Sequence, residues 1–340
     1  MRTAIVALAV ALAGTSLASC GSSDDDGGLP PATGSSVFPV TVTHRFGTTT
    51  VPAEPRRIAV VGLTEQDIVL ALGEKPVATT EWYGNQPYAV WPWARRALGT
   101  AKPTVLSNKD GFQFERIAAL RPDLIIGTNA GIKRADYRKL SAIAPTIAGV
   151  VGGTDYFSRW DQQTVLVAQA LGKEAEGRAL VKRIKDAYAK AEAEHPEFRG
   201  KTATFSQNAF YDGQLYLYPD GLNTQFLTYL GFKIDPKVTA LAKRPGEQVP
   251  ISAEQLPILD SDVLVFATEK PKDIPALMKV KLFPRIPGVA GNRAVYTDAT
   301  LTGAMYFVSP LSLPYVLERL VPQLEAAVAG RAPRRIVASR

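Results

Sequence analysis

Three of the four tryptophans in this chain fall within a dozen residues: Trp82, Trp91 and Trp93, with Tyr83 and Tyr88 between them and Arg95 and Arg96 behind. Rings stack on bulky ligands, and guanidinium groups beside them make charge-assisted hydrogen bonds to anionic ones. The same rings also suit a small core packed under a long loop. Residues for covalent chemistry are scarce. His44 and His195 are the only histidines and Cys20 the only cysteine, so a histidine-rich zinc or manganese site cannot be built and no intrachain disulfide is possible. A serine or cysteine hydrolase would have to recruit one of those two histidines. Binding is the better expectation.

The elements that position these residues begin with an address label. Arg2 supplies a short cationic start, and Thr3 to Ala13 is an apolar run too short to span a bilayer. Leu17-Ala18-Ser19-Cys20 then matches the bacterial lipoprotein box, in which the cysteine is diacylated and becomes the new N-terminus. We expect a signal peptide over 1–19, lipidation at Cys20 and a polar tether over 20–37. Two acyl chains suffice for stable anchoring, so the expected location is the extracytoplasmic face of the cell membrane. The chain carries a formal charge of +7. Losing Arg2 with the signal peptide and setting aside Asp24, Asp25 and Asp26 in the tether leaves a distinctly cationic body.

The length of 340 residues allows two domains of roughly 150 each. Hydrophobic residues at 46% exclude disorder, and 25 prolines with 27 glycines exclude a helical array. From Phe38 onward β and α patterns alternate. Arg57–Val61, Pro76–Ala78 and Asp123–Ile126 read as buried parallel strands, with helices over Glu65–Leu72, Phe114–Leu120 and Arg134–Ile143 between them. Phe157–Leu171 and Lys173–Glu194 form the longest helical stretch, broken at Gly172 and stopped by Pro196. Alternation then resumes. Lys201–Ser206 and Gln214–Tyr218 flank an Asp212-Gly213 hairpin turn, helices follow over Asn223–Leu230 and Ser252–Leu259, strands over Asp262–Phe266 and Arg293–Thr297, and a last helix over Pro310–Val328. The expected architecture is two α/β lobes joined by a single long rigid helix, with a ligand cleft between the lobes. Its boundaries are 38–156, 157–195 and 196–340.

The lobes echo each other. Phe114-Glu115 opens a short helix leading to Pro122-Asp123-Leu124-Ile125-Ile126, and Ala253-Glu254 opens another leading to Ser261-Asp262-Val263-Leu264-Val265. Taken alone, each glutamate suits a helix start, where carboxylates complement the helix dipole. At Glu115 to Ile126, however, the chain resembles the substrate-binding proteins of iron-siderophore, haem and cobalamin ABC importers, whose local signature reads E-x-I-x-x-L-x-P-D-L-I-I. The resemblance runs from Val40 to Val328. The stretch Trp82 to Trp93 is similar, more narrowly, to actinobacterial iron-siderophore binding lipoproteins.

That resemblance implies roles. One glutamate on each lobe docks into arginine pockets of a dimeric permease, and by position these are Glu115 and Glu254. A two-fold partner requires two copies of one feature. Ligand residues are expected on loops leaving the strand ends. Trp82 and Tyr83 directly follow such an end, while Trp91 and Trp93 either join them or pin the loop. Lys109 stands six residues before Glu115, where family members often place a ligand-contacting cation or aromatic, and Gln248 stands six before Glu254 with Lys243 and Arg244 nearby. Asn129, Asn208, Phe210, Tyr211, Tyr218 and Tyr306 complete the candidates. The expected protein is a lipid-anchored, monomeric receptor, not an enzyme. It would have no cofactor and no nucleic-acid partner, capturing a ferric siderophore for an ABC permease. Haem or cobalamin is the alternative ligand, and a two-lobed extracytoplasmic enzyme the alternative class.

Overall fold

A computed structural model describes residues 37–207, 210–244 and 247–338. Cys20, the signal peptide, nearly all of the tether and Asn208 lie outside the described residues. The body opens with an antiparallel hairpin, β1 (Val40–His44) and β2 (Gly47–Val51). Its inward positions, Val42, His44, Thr49 and Val51, are buried while their neighbours face solvent.

The first lobe is a five-stranded parallel sheet of β3 (Ile58–Val60), β4 (Ala78–Glu81), β5 (Thr104–Ser107), β6 (Leu124–Ile126) and β7 (Thr146–Ile147). Its order is β5-β4-β3-β6-β7. The chain therefore winds outward from β3 in one direction, returns, and winds in the other. Helices cover the faces, so β3 and β6 are apolar at every position and wholly buried. Strand β4 lies later than its apolar residues predict. Thr79 and Thr80 are fully buried because their hydroxyls donate to the carbonyls of Tyr88 (2.7 Å) and Val60 (3.1 Å), which removes the cost of burying a polar side chain.

The second lobe carries a six-stranded mixed sheet. Strands β8 (Thr202–Gln207), β10 (Lys233–Ile234), β11 (Val249–Ser252), β12 (Val263–Ala267) and β13 (Ala294–Tyr296) run in one direction, and β9 (Gln214–Tyr218), paired between β8 and β11, runs against them. The β8–β9 connection turns at Asp212 and Gly213, both at positive φ (48° and 76°), the geometry of a two-residue hairpin turn. The expected helix after β11 is a 3₁₀ turn, Ala253–Ile258, because Pro257 sits inside it.

Between the sheets run Trp160–Ala170 and the long helix Glu174–Glu194, about 31 Å in length. Gly172 separates them at φ +67°, and a Cβ there would lie 2.7 Å from the Phe38 ring. The long helix buries Leu180, Ile184 and Tyr188 and ties its exposed face with Glu174–Arg178, Lys182–Asp186 and Lys190–Glu194 pairs. Tyr188 donates to the Leu313 carbonyl (3.0 Å) at the start of the last helix, Ser312–Val328. The lobes also meet directly. Ser309, just before that helix, donates to the Asp67 carboxylate on the first lobe.

Candidate functional site

Where the strand ends of the two sheets face each other there is a cleft of about 540 Å³. From the first lobe, β4 delivers Trp82 and Tyr83. Phe157, from the loop before helix Trp160–Ala170, completes that wall at 5.3 Å from Trp82. From the second lobe come Gln207 at the end of β8, Tyr218 at the end of β9, Gln248 before β11 and Glu269 just past β12. Asn223 lines it too, with Met305 and Tyr306 of the helix Ala299–Phe307 as its floor.

The rings form one connected cluster across the lobe boundary. Tyr83 lies 5.9 Å from Tyr306, which lies 6.1 Å from Tyr218. Close approach is possible because residue 303 is glycine: a Cβ there would stand 2.7 Å from the Trp91 ring and 2.9 Å from the Tyr83 hydroxyl. That hydroxyl is buried without a hydrogen-bond partner. Burial pushes its pKa far up, helped by the nearby Glu269 charge, so it remains a proton donor. The amides of Gln248 and Gln207 bond each other at 3.2 Å. Glu269 is half-buried; desolvation, with the Asp273 charge beside it, raises its pKa. Its carboxylate makes no hydrogen bond or ion pair among the described residues.

Of the sequence candidates, Trp82, Tyr83, Tyr218, Gln248 and Tyr306 line this cleft. Trp91 does not. It is 3% exposed and stacks on Trp93 at 5.1 Å, and Trp93 in turn donates to Asp67 (2.7 Å), so this pair pins the loop. Asn129 is buried and both ends of its amide are engaged: it donates to the Thr64 hydroxyl (2.9 Å) and accepts the Phe157 N–H (2.7 Å). Its bond holds a wall residue, Phe157, at φ +53°, and Asn129 itself does not line the cleft. Tyr211 is 68% exposed on the hairpin turn, and Arg244 is exposed and paired with Glu247. Lys109 is exposed as well, and none of these three lines the cleft. Among the described residues the cleft contains no lysine or arginine.

Phe157, Gln207, Asn223, Glu269 and Met305 escaped the sequence reading. The echo held a signal for one of them. Asn129 stands 14 residues after Glu115, and the same count after Glu254 reaches Thr268, next to Glu269. A larger groove of about 760 Å³ lies along the two linking helices, but its charges are already paired. Burial raises the Asp161 pKa, yet bonds from Arg159 and Lys185 outweigh this and hold it at about 2. No aromatic side chain lines that groove.

Glu115 and Glu254 are exposed, each the second residue of a short helical segment that precedes a central strand, β6 or β12. Ser252 donates to Glu254 (2.7 Å) and lowers its pKa.

A model of the periplasmic binding protein family matches residues 58–301. The chain belongs to this family. Over 239 residues it is 30% identical to the probable siderophore-binding lipoprotein YfiY of Bacillus subtilis (strain 168), covering 68% of this chain and 69% of that one. A periplasmic solute binding protein from Mycobacterium smegmatis is 39% identical and superimposes with a TM-score of 0.79, over 85% of this chain and 98% of that one. PiaA of Streptococcus pneumoniae TIGR4, solved in complex with ferrichrome, is 26% identical with a TM-score of 0.72, over 86% and 99%. The family relation accounts for two α/β lobes with strand ends turned toward a shared cleft.

Proposed function

We propose that this periplasmic binding protein is a ferric-siderophore receptor that serves an ABC importer. The observation that carries the reading is the aromatic cleft between the lobes. Trp82, Tyr83, Phe157, Tyr218 and Tyr306 offer bulky apolar contact, with a free phenol and two amides to bond chelate oxygens. Relatives named for siderophore binding support it. Haem is less well served. His44 is buried against Thr49 and Tyr137 in the first lobe, and His195 sits at the end of the long helix. Neither lines the cleft.

The receptor acts by binding, without catalysis. It is anchored through diacylated Cys20 on the outer face of the membrane and docks as a monomer on a dimeric permease through Glu115 and Glu254. Mass spectrometry of membrane fractions should find Cys20 diacylated, and undiminished membrane recovery of Cys20→Ala would refute the anchor. The functional test is quenching of intrinsic tryptophan fluorescence against ferric siderophores, haem and cobalamin. Saturable quenching by a ferric siderophore at the lowest concentration is expected; preference for haem or cobalamin would reassign the ligand.

A further inference from the structure

Resting on the siderophore reading, we propose that this cleft selects chelates by charge. It takes a ferric trihydroxamate-class complex bearing a protonated amine, with that ammonium seated on Glu269, and disfavours anionic chelates. Ferric iron carries three positive charges. Three hydroxamates cancel them, so a pendant ammonium leaves the complex at +1; three catecholates, at two negative charges each, leave it at −3.

The cleft faces that choice with one carboxylate and, among the described lining residues, no cation. An anionic chelate would bring its charge beside Glu269 in a partly desolvated space, with no cation among those residues to offset the repulsion. A cationic arm instead gains a partner that is otherwise unpaired, and the surrounding rings favour cations over their faces. The backbone keeps Glu269 in place, since the N–H groups of Glu269 and Lys270 both donate to Asp273 (2.9 and 2.8 Å). The charged and titratable groups facing it are Asp273 and Lys270 from its own segment, Tyr83 from the first lobe and Tyr306 from the floor helix. Both tyrosines stay neutral, so Lys270 is the one cation in that set, and it follows Glu269 outside the cleft lining.

The test compares ferrioxamine B, whose pendant amine is protonated, with its N-acetylated form, which is neutral and nearly the same shape. Ferric tris-catecholate and ferric citrate complete the panel, on wild type and Glu269→Gln. Wild type should bind ferrioxamine B about tenfold tighter than the N-acetyl form, the strength of one partly buried ion pair. In Glu269→Gln that ratio should fall to near one. Acidification should have the same effect on wild type, because a carboxylate of raised pKa takes up its proton early as pH falls. An equal ratio in wild type and variant, or tightest binding of either anionic chelate, would overturn the charge selection while leaving the siderophore reading intact. Binding of none of the four chelates would overturn the siderophore reading and the selection with it.

Discussion

Ser309 on the second lobe donates a hydrogen bond to Asp67 on the first, fastening the lobes at a point remote in sequence. Asp67 also accepts from Trp93 (2.7 Å), yet its other carboxylate oxygen is buried without a partner. Burial therefore outweighs both bonds and raises its pKa to about 6. A carboxyl held above its unfolded value binds protons more tightly in the native state. Its contribution is greatest at low pH and declines as pH rises from about 4 to about 6. Asp67→Asn removes that decline, so its melting temperature should gain on wild type at pH 7 relative to pH 4. The difference should be of the order of 2–3 kcal/mol, since a pKa unit is worth about 1.4 kcal/mol. Glu65 nearby is also buried with a raised pKa, and comparing the variant with wild type cancels its share. Parallel pH dependences of the two proteins would contradict the assignment.

Gly303 tests how closely the lobes pack. In an open helix, replacing glycine with alanine stabilises by about 1 kcal/mol. At 303 the added methyl meets Trp91 and Tyr83 within 3 Å, and overpacking of that kind costs about 1–3 kcal/mol. The clash should win, and Gly303→Ala should unfold at a lower denaturant midpoint than wild type. A higher midpoint would mean that the rings move aside freely.

Glu115 and Glu254 separate docking from capture. Both are exposed and neither lines the cleft. The double variant Glu115→Ala/Glu254→Ala should bind chelate and melt nearly as wild type, yet fail to support uptake. Each single variant should be intermediate. Normal uptake by the double variant would return both residues to helix-start chemistry.

The parts of this molecule that follow from apolar runs were legible in the sequence. Ile58–Val60, Leu124–Ile126 and Val263–Ala267 are strands because helices bury both their faces, and Gly172 breaks the linking helices because its backbone is left-handed. The β1–β2 hairpin was not read as a separate element. Its inward face includes His44 and Thr49, satisfied by each other and by Tyr137 from far along the chain, so no apolar alternation marks it. The site divided in the same way. Trp82 and Tyr83 were found because they follow a strand end. Lys109 and Arg244 were expected to face the ligand from charge and position, and only tertiary placement puts them outside. Asn129 looks like a ligand donor until its partners, Thr64 and Phe157, are known.

The central claim is that the interlobe cleft holds the chelate, and titrating Trp82→Ala and Lys109→Ala with a cognate ferric siderophore tests it most directly. Binding is best followed by calorimetry, so that loss of a fluorophore does not confuse the readout. Removing one stacked ring from the wall should cost about 1–3 kcal/mol, or roughly 5- to 150-fold in affinity, while Lys109→Ala should stay within about twofold of wild type. Wild-type affinity in Trp82→Ala, with a large loss in Lys109→Ala, would move the ligand out of the cleft and contradict the account.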